Sequence, residues 1–499
     1  MYSPWLYVVI EPIIAVLLIV ALRYTLARLS QEAANTAYMI ISTLSCISMF
    51  IPVMYYYAQG RIITESAILN LPYIGKVSIW INPISAMYLL ATCIVATCVS
   101  VYSLPYMTHR LEELRLGSDL ALYYILYILY ILGLAGTVYF TNLIIMFIFV
   151  ELSIVTSFLL ILFYGYGDRL RVALLYFIWS QLGSLSLLCG IIIMLMNLKT
   201  VYVPSLHPSV CVPLIAMYLV LIGCLIKMGT FLVHFWLPWA HAEAPSPISA
   251  ILSPVQIGIM SYVLIEILHT VFRQMLFSIS LPLIVYGIVT GIYGAVMALA
   301  EQDVKRFLAY SSIAHMGALT ICIAYPSPVG EIAAAIVFIA HAFAKALLFL
   351  CSGYIIYRTG IRSFPLLGGL YEVMTSSSIM GIVGFVSLSG VFNIGLISKI
   401  YLTLILFTAL TSLLHKLNLT ILLLLLYIAM LCLSVAYCFY AVKRMYFGRP
   451  REGLRVLPYT VYLMEVPMAV LAICTVLFMM PNALMPMIHL AHVWNFLKL

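Results

Sequence analysis

Charge is what this 499-residue chain has least of: Asp, Glu, Lys and Arg together make up 8%, against roughly 25% in an average globular protein. Hydrophobic residues make up 65%, and mean hydropathy is +1.16. By length the chain equals about three domains of roughly 150 residues, but it has too little polar surface to cover them. Soluble domains are excluded. The solvent is a bilayer, where each spanning helix needs about 20 mostly apolar residues.

Other absences narrow the function. Net charge is only +8, from 24 Lys and Arg against 16 Asp and Glu, and it is too scattered for a nucleic-acid footprint. The eleven cysteines include no C-x-x-C pair and lie mostly in apolar runs, which argues against zinc and iron–sulfur sites. No flavin, quinone or metal motif is present, so no cofactor is expected in this chain. The first apolar run lacks a basic n-region and carries Glu11 and Pro12, unlike a cleavable signal peptide.

Apolar runs separated by short polar loops give about fourteen spans, starting near residues 5, 37, 78, 122, 141, 171, 211, 247, 276, 306, 331, 374, 418 and 457. The odd-numbered loops hold 15 Lys and Arg (Arg23, Arg28, Arg110, Arg115, Arg169, Arg171, Lys305, Arg306, Arg358, Arg362, Lys443, Arg444, Arg449, Arg451, Arg455). The even-numbered loops hold 5 (Arg61, Lys76, Lys199, Arg273, Lys416), and Lys498 lies in the C-terminal tail. The positive-inside rule then puts the odd loops in the cytoplasm and both termini outside, in a multi-pass cell (plasma) membrane protein. The basic stretch Lys443 to Arg455 could also bind anionic lipid headgroups, although the positive-inside rule alone explains it. No stretch longer than about 20 residues is left for an extramembrane domain, so the working parts lie in the bilayer.

Three lysines fall inside spans: Lys227, Lys345 and Lys399. A charge at the bilayer centre costs at least about 2.5–3.5 kcal/mol, and such residues mark ion pathways. A lysine whose acidic partner comes and goes is a proton switch, because desolvation and pairing push its proton affinity in opposite directions. Snorkelling or a static ion pair is the plainer alternative. Glu151, mid-span in Phe147–Ser153, needs a partner on another helix, and Lys227 is the candidate. His341 and Lys345 stand at i, i+4 and share a helix face. His315 is expected to follow a helix break within Ala309–Gly317. Glu266, His269 and Arg273 are expected to form one self-neutralising face near a membrane surface, and Glu11 and Glu465 to lie near the headgroups.

Two spans look interrupted beside their lysines. One carries Lys227-Met228-Gly229-Thr230 and then His234-Phe235-Trp236-Leu237-Pro238; the other carries Ser387-Leu388-Ser389-Gly390-Val391-Phe392-Asn393 before Lys399. Glycine and proline loosen a helix and free backbone groups, and interrupted spans at matching places in two halves point to inverted repeats.

The stretch Phe235-Trp236-Leu237-Pro238-Trp239-Ala240-His241-Ala242-Glu243-Ala244-Pro245-Ser246-Pro247-Ile248-Ser249-Ala250 resembles a signature of the antiporter-like subunits of respiratory complex I, membrane-bound hydrogenases and Mrp-type cation/proton antiporters. So do Gln302–Ser312, His341–Phe349 and Gly395–Lys399, in the family's order over roughly residues 120 to 400. The resemblance implies an all-α polytopic membrane protein with about fourteen helices, two inverted five-helix repeats and broken helices 7 and 12. It implies a segment at 1–120, repeats at 121–272 and 273–442, and a basic loop with the last helix at 443–499. It carries over Glu151 and Lys227 as a first pair, His341 and Lys345 as a central relay, and Lys399 as the terminal group. His234, His241, Glu243, Gln256 and His315 are supporting candidates.

Two departures stand out. Family members often place a Lys or His in span 8, where this chain offers Ser253, Gln256 and Gly258, so water and Gln256 must bridge the gap or the link is weakened. An acidic residue usually leads into span 3, where this chain has Asn82.

The implied function is a proton-translocating subunit of a redox-driven complex, with partner membrane subunits and a redox arm doing the electron chemistry. The alternatives are a sodium/proton subunit of an Mrp-type assembly and a proton-inert spacer.

Overall fold

The computed structural model describes residues 4–25, 30–59, 64–71, 75–115, 117–208, 212–414, 417–451 and 461–480. Cys211, Arg28, Arg61, Lys416, Arg455 and Lys498 lie outside them, as does the expected start of the last span near residue 457. Among the described residues, twelve helical segments are long and apolar enough to cross a membrane, and Leu214–Met228 and Tyr462–Leu477 are shorter apolar helices.

The helices sort by burial. Ser246–His269, Val304–Ala324 and Pro328–Thr359 are buried through their apolar windows, whereas Leu6–Tyr24 and Leu417–Tyr446 present most of theirs outward. The outward faces carry Leu17, Leu185, Phe407 and Leu425, a surface only lipid or another subunit can cover. The central helices are therefore the ones removed from lipid; they carry Gln256, His315, His341 and Lys345, whereas Glu151, Lys227 and Lys399 lie on other helices.

Three local expectations are corrected. Span 3 does not begin near 78: strand β1 (Thr64–Leu71) pairs antiparallel with strand β2 (Gly75–Ile81), and the helix Pro83–Leu114 starts only after Asn82 caps it. The alternation Val77, Ile79, Ile81 buried on one side of β2 has the period of a strand, a signal masked by the apolar run that follows. Val304–Ala324 is one uninterrupted helix, with no break before His315; the Ser311 and Ser312 hydroxyls, which could have competed with the backbone, bond back to the Leu308 carbonyl inside it. The Glu266, His269, Arg273 face does not form a ladder, as described below.

Both interrupted spans do break. The Lys227 helix ends at Met228 and the chain re-enters a helix at Trp236–Glu243, with Gly229 at φ +64°. The Thr375–Ser389 helix ends at Gly390, φ +75°, and the Lys399 helix, Asn393–Leu413, follows. Positive φ suits glycine because it lacks a Cβ.

A second motif recurs in the two halves. Asn142 bridges Tyr202 and Asp303 bridges Ser363; both members are displaced by 161 residues (142 to 303, 202 to 363). Each bridge has the same two backbone bonds, Leu143 N to Val201 O and Val203 N to Thr141 O in one, Val304 N to Arg362 O and Phe364 N to Gln302 O in the other. Each is followed by a 3-10 turn, Val203–Ser205 and Phe364–Leu366. Asn142 and Asp303 also cap the helices they lead into, satisfying amides that the first helical turn leaves unpaired.

The two copies lie on opposite faces of the molecule. On one face Arg110 donates to the Tyr164 carbonyl at 3.1 Å, Tyr166 N to the Glu243 carbonyl at 2.7 Å, Lys305 to the Ala244 carbonyl at 2.5 Å, and Arg444 to Gln302 at 3.3 Å. These are odd-numbered loops only. The other face gathers Asn82, Thr141, Val203, His207, His269 and Pro326 around one cavity, all from even-numbered loops or helix ends.

Candidate functional site

The first cluster is built where two helices meet at glycines. A Cβ on Gly183 would come 2.8 Å from the Gly223 carbonyl, and one on Gly223 2.6 Å from the Gly183 carbonyl. That close approach holds the helix Arg169–Leu198 against the Lys227 helix and delivers the Lys227 ammonium to Ser184 Oγ at 2.5 Å and the Ser180 carbonyl at 3.3 Å. Ser184 in turn donates to Glu151 Oε1 from the helix Leu143–Tyr164, and Gln181 Nε2 donates to Oε2 at 2.8 Å. Lys227 and Glu151 stand 3.8 Å apart, with side chains 5% and 23% exposed. The sequence pointed to this pair; Ser184 and Gln181, its polar connectors, carried no signal of their own.

Beyond Lys227 lies a cavity of about 10 Å³ lined by Ser180, Tyr176, Gln256 and Trp236, room for about one water molecule. Gln256 Nε2 donates to Tyr176 OH at 2.7 Å, and Tyr130 OH donates to Gln256 Oε1 at 2.5 Å. Tyr176 also meets Ser157 Oγ at 2.7 Å. Gln256 ends a π-helical turn, Leu252–Gln256, of the kind found at functional sites. The same helix turns Ser253 to Ser312 Oγ at 2.6 Å.

The second cluster starts at that residue. The Ser253 carbonyl lies 3.3 Å from His341 Nε2; a carbonyl only accepts, so Nε2 carries the proton. His341 Nδ1 has no partner among the described residues. The rings of His341 and His315 lie with centroids 5.1 Å apart, tilted by 31°, and His315 Nδ1 donates to the Ser311 carbonyl at 2.9 Å. Lys345, fully buried, donates to the Leu308 carbonyl at 2.5 Å and to Ser311 Oγ. It makes no ion pair among the described residues. At the 161-residue displacement of the two bridge motifs Ser184 falls at Lys345 and Glu151 at Ser312.

Lys399 lies just past the second break, its stem packed into the space left by Gly390. Ser387 Oγ and Asn393 Oδ1 are buried there without partners among the described residues. The structure brings Lys399 into direct contact with none of the other lysines or Glu151.

The supporting candidates divide. His234 Nε2 meets Tyr293 OH at 2.8 Å in the first break. His241 is fully buried against Phe349, ring centroids 5.3 Å apart, with both ring nitrogens unpartnered among the described residues. Glu243 belongs to the charged face: Arg362 pairs with it at 3.7 Å and also with Asp303. There the Asp303 and Glu243 carboxylates raise the pKa of Arg362 against the desolvation that lowers it. No group of three or more His, Cys, Asp or Glu that could hold a metal occurs among the described residues.

A polytopic helical membrane protein with ionisable side chains set among its helices is the class these features define. Residues 141–423 match the family model described as NADH:quinone oxidoreductase/Mrp antiporter, TM, and the chain belongs to that family. It is similar to a Staphylococcus saprophyticus protein named as an antiporter subunit (28% identity, 81% of this chain and 52% of the relative). It is also similar to NADH-quinone oxidoreductase subunit M of Rickettsia felis (28%, 50% and 52%). The chain spans about half or less of the length of the first curated relatives it matches. Among solved structures, a chain of the Mrp complex from Dietzia sp. shares the fold over 99% of this chain and 98% of its own, with TM-score 0.83 and 17% identity.

Proposed function

We propose that this chain is a proton-translocating, antiporter-like membrane subunit of a redox-driven respiratory complex, passing protons along Glu151, Lys227, His341, Lys345 and Lys399. The observation that carries the reading is the part-buried Glu151–Ser184–Lys227 contact, an acid and a base 3.8 Å apart with a hydroxyl that bonds both. Its separation changes the proton affinity of the lysine, about one unit for each 1.4 kcal/mol. Water in the small cavity and the Tyr176–Gln256–Tyr130 chain lead toward Ser253, and from there to His341. Redox energy in partner subunits supplies the push; this chain supplies the line.

The same reading takes the two copies of the bridge motif as marks of inverted repeats at 121–272 and 273–442, between a segment at 1–120 and a basic loop and last helix at 443–499. It counts the shorter helices Leu214–Met228 and Tyr462–Leu477 as spans, making fourteen. Basic residues on the odd-loop face put that face in the cytoplasm of a plasma membrane and both termini outside. Partners are other membrane subunits, further antiporter-like chains and a redox arm.

A second reading, a sodium/proton subunit of an Mrp-type assembly, draws on the 81% of this chain matched by a relative named as an antiporter subunit. Isolating the native assembly separates the two: co-purifying iron–sulfur subunits support the first, small membrane subunits alone the second. In that assembly Lys227→Ala and Glu151→Ala should each abolish most proton movement without loss of assembly. Full pumping in both variants would leave a proton-inert spacer.

A further inference from the structure

The face opposite the charged network contains a cavity of about 300 Å³, and nothing in the line from Glu151 to Lys399 uses it. Its titratable and charged lining groups are His207, Tyr262, Glu266, His269, Arg273 and Glu331. Glu266, His269 and Glu331 are 5%, 7% and 7% exposed. The expected ladder along one helix is replaced by partners from elsewhere. Glu266 accepts from Asn82 Nδ2 at 3.4 Å, and His269 Nδ1 lies 3.3 Å from Glu331 Oε1. The turn Ile265–His269 is π-helical, which rotates these side chains out of the ordinary i, i+3 alignment.

The imidazole is fixed at both ends. Its Nε2 lies 2.8 Å from the Ile323 carbonyl, an acceptor only, so Nε2 carries a hydrogen. A neutral ring would then turn the bare lone pair of Nδ1 toward a carboxylate oxygen. The contact is attractive only when one more proton is present, either on Nδ1 as imidazolium or on Glu331 as a carboxylic acid. The geometry therefore defines a one-proton site with net charge zero when filled.

Both carriers sit on helices that bear the central groups. Glu331 precedes His341 by ten residues, and Glu266 follows Gln256 by ten, about 15 Å along each helix axis. Between them Tyr88 OH meets Ser261 Oγ at 2.6 Å. We propose that this cavity is a proton-exchange vestibule: the His269–Glu331 pair takes one proton from the central groups and gives one to water at the even-loop face, or the reverse, with Glu266 as the second acceptor. Only N–H and O–H bonds form and break, and the proton count balances at each transfer. Asn82 fits this role. An aspartate there would place a second negative charge beside Glu266, whereas the amide donates to it.

The proposal rests on the proton-translocating reading, and one set of measurements separates the two. Proton movement is followed with a pH-sensitive dye in vesicles holding the whole assembly, across a pH series, for wild type, Lys227→Ala, His269→Gln, Glu331→Gln and Asn82→Asp. His269→Gln keeps a donor for the Ile323 carbonyl but cannot titrate. The expected result is a loss of about tenfold or more in His269→Gln and Glu331→Gln, with an upward shift of the pH midpoint in Asn82→Asp. Wild-type rates and pH profiles in both neutral variants overturn the vestibule while leaving the central line standing if Lys227→Ala is inactive. Unimpaired Lys227→Ala overturns the underlying reading. Should the neutral variants fail to assemble, Asn82→Asp decides alone, and an unchanged midpoint overturns the proposal. A requirement for sodium at this site, seen as loss of the His269 and Glu331 effects when choline replaces it, assigns the cavity to an alkali cation and overturns it as well.

Discussion

Ser184 stands between Glu151 and Lys227, donating to the carboxylate while it accepts from the ammonium at 2.5 Å. The two charges stand 3.8 Å apart and also meet through a hydroxyl that bonds both. A direct, fully buried salt bridge would be harder to open, because each freed charge would meet a large desolvation cost.

Ser184→Ala removes the connector and leaves acid and base facing each other across 3.8 Å. Proton movement should fall about tenfold, while Ser184→Thr, which keeps the hydroxyl, should retain most of it. Dye-quenching in vesicles measures both. Equal rates in Ala and Thr would show that the hydroxyl carries no proton.

Gln256 joins Tyr176 to Tyr130 beside the small cavity. Gln256→Leu leaves the buried Tyr130 hydroxyl without its acceptor, a cost of about 1–3 kcal/mol, takes from Tyr176 one of its partners while Ser157 remains, and breaks the link toward the second half. Melting temperature and proton movement should both drop. Gln256→His supplies the base that span 8 lacks and should restore movement at least to the wild-type rate; failure of that rescue would argue against a path through this position.

His241 presents two buried ring nitrogens with no partner among the described residues, an arrangement that natural chains keep mainly where function requires it. His241→Phe retains the packing on Phe349 and removes the polar burden. Thermal unfolding of the assembly should shift upward and proton movement should fall. A stabilised variant pumping at the wild-type rate would reduce His241 to a packing residue.

Particular residues show how far the sequence could be read. Lys227, Lys345 and Lys399 were conspicuous because a charge in an apolar run costs energy wherever the helix sits, and the breaks after Lys227 and before Lys399 were conspicuous because each carries a glycine, Gly229 or Gly390, free to take backbone angles that other residues avoid. Ser184 and Tyr176 were not. In a chain with 36 tyrosines, one phenol in a span carries no mark of its role. Only the packing of three helices, which sets Ser184 between Glu151 and Lys227, marks that serine out.

Composition and periodicity alone gave the multi-span membrane setting and picked out the stranded charges, since each depends only on how a stretch of chain partitions between water and oil. Which acid met which base was decided by tertiary packing. Glu266 found Asn82, 184 residues away, and His269 found Glu331, 62 away, although Glu266 and His269 lie three apart in sequence. Helical spacing fixes what shares a face on one helix. The rotation of that face relative to its neighbours depends on contacts such as Gly183 against Gly223, and those exist only when distant segments have come together.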